Sequence, residues 1–88
     1  MKANDSKNMY KVFSSKERVK LIVCLSKSKN VTEMLSLCHL SQSALSQHLK
    51  ILRDEGIVSC VRDGKKQIYS IENEKALEVA KQLLQLSH

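Results

Sequence analysis

Between Ser41 and Lys50 the chain reads SQSALSQHLK, a helical stretch whose outward positions carry hydroxyls and amides rather than paired charges. Ser43, Ser46, Gln47 and Lys50 stand at i, i+3, i+4 and i+7, so on a helix they share one face. Hydroxyls and amides both donate and accept hydrogen bonds, and such a face suits recognition better than bond-making. The thiols are the other reactive groups. Cys24, Cys38 and Cys60 are odd in number and lack CxxC spacing, which argues against a disulfide framework and for a reducing compartment. Cys38 and His39 are neighbours, but no third orienting group accompanies them, so no catalytic residue and no enzymatic activity is expected.

Positioning that polar face requires the elements around it. The first helix is expected over about residues 6 to 13, with Met9, Val12 and Phe13 as its apolar side. SSKERVKLIVCLS restarts a helix, and Ser14 and Glu17 have capping-box spacing. Asn30 and Glu33 repeat that spacing ahead of VTEMLSLC. A sharp turn must follow, with His39 in the left-handed region and Ser41 as the next N-cap. The fourth helix runs from about Gln42 to Asp54, buries Leu45, Leu49 and Leu52, and stops at Gly56. Two short helices joined by a tight turn, the second polar outside, have the outline of a helix-turn-helix.

Beyond Gly56 the period changes. IVSCVR and KKQIYSI flank a DG pair, which predicts a two-stranded hairpin with a type I′ turn and Arg62, Lys65 and Lys66 around its tip. Asn73 caps a last helix striped by Ala76, Leu77, Ala80, Leu83 and Leu84, which Val79 and Leu86 broaden. That stripe exceeds what one small domain can easily cover, which points to a homodimer.

Composition agrees. Eighty-eight residues predict a single domain over 1–88, with 42% apolar residues but few aromatics, so the core must be aliphatic. The net charge of +6 and pI of about 9.4 favour a polyanionic partner, nucleic acid before membrane. Eight cations between Lys2 and Lys29 face only Asp5 and Glu17, though such a run also serves as a solvated, solubilising face. No apolar run approaches the roughly 18 residues that span a bilayer. The start MKANDSKN lacks a signal-peptide core, so a cytoplasmic location is expected.

The stretch VTEMLSLCHLSQSALSQHLKILRDEGIVSCVRDGKKQIYSI resembles the DNA-binding core of ArsR-type bacterial repressors. LSQSALSQHLKILRDEGIV is its most specific part, and R-x-G-K-x…Y-x-I follows the family's wing. The resemblance covers about residues 10 to 88. It implies a mainly α fold with a small β-hairpin, a dimeric winged helix-turn-helix of order α-α-α-α-β-β-α. It further implies a sequence-specific transcriptional regulator, a repressor, bound as a homodimer to an inverted repeat in double-stranded DNA. Ser43, Ser46, Gln47 and Lys50 would then enter the major groove, because Gln and Ser can both donate and accept at base edges. Ser41 and Gln42 at the helix start suit phosphate, and Arg62, Lys65 and Lys66 reach flanking backbone or minor groove. Met9, Phe13, Leu77, Ala80, Leu83 and Leu84 would build the dimer. His48 falls beside Leu45 and Leu52, so it is expected to pack at the helix edge with a local hydrogen bond.

The sensory sites of that family are not matched. Asn30 and Thr32 stand where a Cys-x-Cys metal pair would be. Of a second metal site, Asn73 and Lys75 occupy the first pair, Leu86 the third position, and no residue the fourth. No metal and no cofactor is expected. A redox- or sulfur-responsive branch uses two cysteines, and Cys24 matches the first, while the second position falls at His88. Cys24 is the candidate redox residue, whereas Cys38 and Cys60 read as small core residues. A thiol- or metal-responsive switch and a winged-helix protein-interaction module are the rival readings, and the effector is left unknown.

Overall fold

A computed structural model describes residues 8–86. The order is α1 (Met9–Phe13), α2 (Lys16–Cys24), β1 (Lys29–Asn30), α3 (Val31–Cys38), α4 (Gln42–Asp54), β2 (Val58–Asp63), β3 (Lys66–Ile71) and α5 (Glu74–Leu86). Residues 6 and 7, expected in the first helix, lie outside the described residues.

Side chains that satisfy terminal backbone groups set most helix boundaries. Asn30 Oδ1 accepts from the Glu33 N–H at 2.9 Å, and Glu33 Oε1 accepts from the Asn30 N–H at 2.8 Å, completing the expected capping box. Ser41 Oγ caps α4 through the Ala44 N–H at 3.1 Å, and Asn73 Oδ1 accepts from Ala76 at the start of α5. The start of α2 departs from expectation. Ser15, not Ser14, is its N-cap: Ser15 is extended (φ −111°, ψ 120°), and its Oγ accepts from the Arg18 N–H. Ser14 is still right-handed helical, and its hydroxyl donates to the Lys11 carbonyl at the end of α1. Two adjacent serines offer the same chemistry, and only the backbone turn distinguishes them.

The helix ends follow backbone logic. His39 adopts φ 56°, ψ 33°, the left-handed cap that turns α3 into α4. Gly56 (φ 75°) closes α4 with the Ile57 N–H bonded to Leu52 O at 2.9 Å and its own N–H to Arg53 O at 3.0 Å, a Schellman motif.

The sheet has three strands, not two, in antiparallel order β1-β3-β2. The added strand pairs Lys29 with Tyr69 and Asn30 with Ile68. Two residues are too few to show a period, so β1 had no sequence signature. The hairpin turn also differs. Asp63 pairs with Lys66, leaving Gly64–Lys65 as the loop, and of these only Gly64 has positive φ (64°). Positive φ at the first central residue alone is the type II′ pattern; type I′ requires it at both.

Leu45, Leu49 and Leu52 of α4 join Leu21, Ile22 and Leu25 of the α2 region, Met34, Ile57 and Tyr69 in one aliphatic core. Ala76, Leu77 and Ala80 of α5 are also buried in this core, and α5 packs on α2. Leu77 and Ala80 were expected to serve a partner, but this chain's own helices cover them; Ala80 is 0% exposed.

Candidate nucleic-acid interface

Burial of Leu45 and Leu49 turns the opposite side of α4 outward. Gln42, Ser43, Ser46, Gln47 and Lys50 are all exposed, so the shared face expected from their spacing forms. Lys50 Nζ reaches Asp54 Oδ2 at 3.0 Å, with both side chains mostly in solvent. Such a surface pair is worth about 0.3–0.5 kcal/mol and yields readily to a phosphate. Ser41 is partly committed. One lone pair of its Oγ takes the Ala44 N–H, while the hydroxyl hydrogen remains available to an anion.

Arg62, Lys65 and Lys66 stand exposed on the hairpin, where Arg62 Nε donates to the Gly64 carbonyl. The hairpin does not stand apart from α4. A crevice of about 270 Å³ joins them, lined by Gln42, Arg62, Lys65 and Lys66 together with Asn30 and Thr32 at the start of α3. Gln67 also lines it, and among the described residues no carboxylate does. Polar donors and three cations around one concavity suit a run of phosphate groups. Sequence reasoning missed Asn30, Thr32 and Gln67 here, because β1 brings the start of α3 beside the hairpin and β1 itself was not legible.

His48 sits at the edge of α4, half-buried, as expected, but its partner is not local. Its Nδ1 lies 3.3 Å from Arg18 Nη1, thirty positions earlier. Burial, and then the neighbouring Arg18 charge, push the His48 imidazole below its usual pKa, with Glu17 opposing. A neutral ring accepting the guanidinium hydrogen at Nδ1 fits both observations. Arg18 also donates to Val12 O at 3.2 Å and Lys11 O at 2.7 Å, so it holds the last carbonyls of α1. Its place in a run of cations gave no hint of this.

The cysteines need a correction. Cys38 and Cys60, expected inside the core, are half-buried and pack against its edge, and Cys24 is half-buried as well. Cys60 lies across the sheet from Tyr69, whose hydroxyl is pushed upward by burial and by a hydrogen bond with Cys60. Cys38 Sγ stands 3.9 Å from Cys24 Sγ. Among the described residues, no group of three or more His, Cys, Asp or Glu side chains could hold a metal. No helix among them is long and apolar enough to cross a membrane.

A short helix, a left-handed turn, a polar-faced second helix and a cationic hairpin define a winged helix-turn-helix DNA-binding transcriptional regulator, not an enzyme. Residues 15–59 match the model of bacterial regulatory proteins of the arsR family, and the chain belongs to that family. It is 36% identical over 74 residues to the HTH-type transcriptional regulator YgaV of Escherichia coli K12, covering 82% of this chain and 75% of that protein. Among solved structures it resembles HlyU from Vibrio cholerae (TM-score 0.78, 29% identity, 89% of this chain and 86% of the other). It is equally similar to the transcriptional repressor BigR from Xylella fastidiosa (TM-score 0.80, 29% identity, 89% and 81%).

Proposed function

We propose that this chain is a homodimeric, cytoplasmic repressor that occupies an inverted-repeat operator. The observation that carries the reading is the exposed Ser43, Ser46, Gln47 and Lys50 face beside a crevice lined by Arg62, Lys65 and Lys66. In this reading Ser46 and Gln47 meet base edges, while Ser41, Gln42, Arg62, Lys65 and Lys66 meet phosphate. Two copies place two α4 helices in successive major grooves, about one helical turn apart. Repression follows from occupying a promoter, as the repressor name of BigR suggests for a relative.

Dimerisation is supported by what α1 and α5 leave open. Tyr10 is 91% and Leu86 82% exposed, and Val79 is 42% exposed beside Met9 and Phe13 along one apolar groove. Phe13, Leu83 and Leu84 line a second groove together with Lys16 and Val19 of α2. An apolar surface of this kind marks a site of association. The testing experiment is binding of the protein to specific and scrambled inverted-repeat duplexes across a salt series. Specific binding that weakens steeply with salt supports the reading. Absence of any salt-dependent shift favours the protein-interaction module instead.

A further inference from the structure

Cys24 is the last residue of α2 and Cys38 the last of α3, and both are free thiols. Cys38 Sγ–H donates toward Cys24 Sγ across 3.9 Å. Both line a cavity of about 330 Å³ that Glu17, Lys20, Leu37, His39 and Leu40 help to wall, so a small reagent can reach them. Burial and the adjacent Cys24 push the Cys38 thiol up to about 11, against the pull of Lys29. Cys38 therefore keeps its proton, and Cys24, which receives that hydrogen, is the sulfur placed to react first. This pair is not the one that the family resemblance implies, whose second position is His88.

We propose that Cys24 and Cys38 form a dithiol site that a low-molecular-weight disulfide converts to an intramolecular disulfide. Cys24 thiolate attacks one sulfur of the small disulfide, whose S–S bond breaks and releases one thiolate. The Cys24 mixed disulfide is then attacked by Cys38 after it loses its proton to solvent. The Cys24–Cys38 bond forms and the second small thiolate leaves. The protein loses two electrons and two protons; the small disulfide gains both and becomes two thiols. Closure brings the sulfurs from 3.9 Å to about 2.05 Å and so draws the ends of α2 and α3 together.

The position gives the bond a consequence. Cys38 directly precedes His39, whose left-handed backbone sets the angle between α3 and α4. Drawing the end of α3 toward α2 tilts that turn and with it the polar face of α4. The oxidised protein therefore binds operator DNA at least about tenfold more weakly, equivalent to about 1.4 kcal/mol. This last step rests on the DNA-binding reading; the disulfide itself does not.

The experiment treats Cys60→Ser protein with oxidised glutathione and reads intact mass, then peptide linkage, then affinity for an inverted-repeat duplex. The expected product is monomeric by mass, lighter by about 2 Da, with the Cys24 and Cys38 peptides joined and reversible by dithiothreitol. Cys38→Ser should instead stop at the glutathione adduct on Cys24. Cys24→Ala, with its fold checked by circular dichroism, should give no linked product. A stable adduct on Cys24 in the protein retaining Cys38, or an intermolecular link, overturns the site. A complete Cys24–Cys38 disulfide with unchanged DNA affinity overturns the regulatory step alone. A reduced protein that never binds DNA overturns the function reading, while the mass result still decides the dithiol.

Discussion

Arg18 Nη1 stands 3.3 Å from His48 Nδ1, so one guanidinium on α2 touches α4 while two other of its bonds hold the end of α1. Arg18 thereby ties the end of α1 to the residue next to Gln47. A proton on His48 would remove its acceptor and set two cations against each other.

The first prediction concerns pH. The folded-state pKa of His48 lies below its usual value, through burial first and Arg18 second, so the unfolded chain takes up a proton before the folded one. This contribution to stability is fully present above about pH 6.5, the unfolded value. It is lost as pH falls from there through the lower folded value. Urea midpoints measured from pH 8 to 5 should drop in wild type and drop less in His48→Gln. Equal slopes in both proteins would show that His48 does not carry the effect.

A second prediction separates two neighbouring serines. Ser15→Ala removes the N-cap of α2 and should cost about 1 kcal/mol. Ser14→Ala loses only an exposed hydroxyl bond to Lys11 O and should cost clearly less. Thermal melts of both variants check the order, and the reverse order would restore Ser14 as the cap.

The proposed dimer surface can be probed where a charge leaves the protomer intact. Val79 is 42% exposed, so Val79→Glu should preserve the circular dichroism spectrum yet shift sedimentation toward monomer. Leu84→Glu, at a half-buried position, should weaken both association and folding. An unaffected dimer in Val79→Glu would move the interface away from the Met9, Phe13 and Val79 groove.

The proposed DNA contacts divide by kind. Gln47→Ala should relax discrimination at one position per half-site, by about 1–3 kcal/mol if the contact is bidentate. Lys65→Ala and Lys66→Ala should weaken all duplexes alike and flatten the salt slope by roughly one ion per lost contact in each subunit. Titrations against specific and scrambled duplexes across a salt series distinguish these outcomes. Equal loss on both duplexes for Gln47→Ala, or an unchanged slope for the lysines, would displace α4 and the wing from DNA.

Local chemistry made much of this molecule legible from residue order alone. Asn30 with Glu33, Ser41, Gly56 and His39 each act within a few positions, so caps and stops could be read directly. The i, i+4 and i+7 spacing of Leu45, Leu49 and Leu52 likewise determined which face of α4 is buried and which carries Ser43 and Gln47. Tertiary structure alone decided which distant residues meet. Cys24 and Cys38 are fourteen positions apart, Arg18 and His48 thirty, and Asn30 and Ile68 belong to strands that share no periodic signal. It also decided that Leu77 and Ala80 are buried within this chain, where α5 packs on α2, which an apolar stripe cannot reveal. Periodicity reports that a face must be buried; the packing of the whole chain determines what buries it.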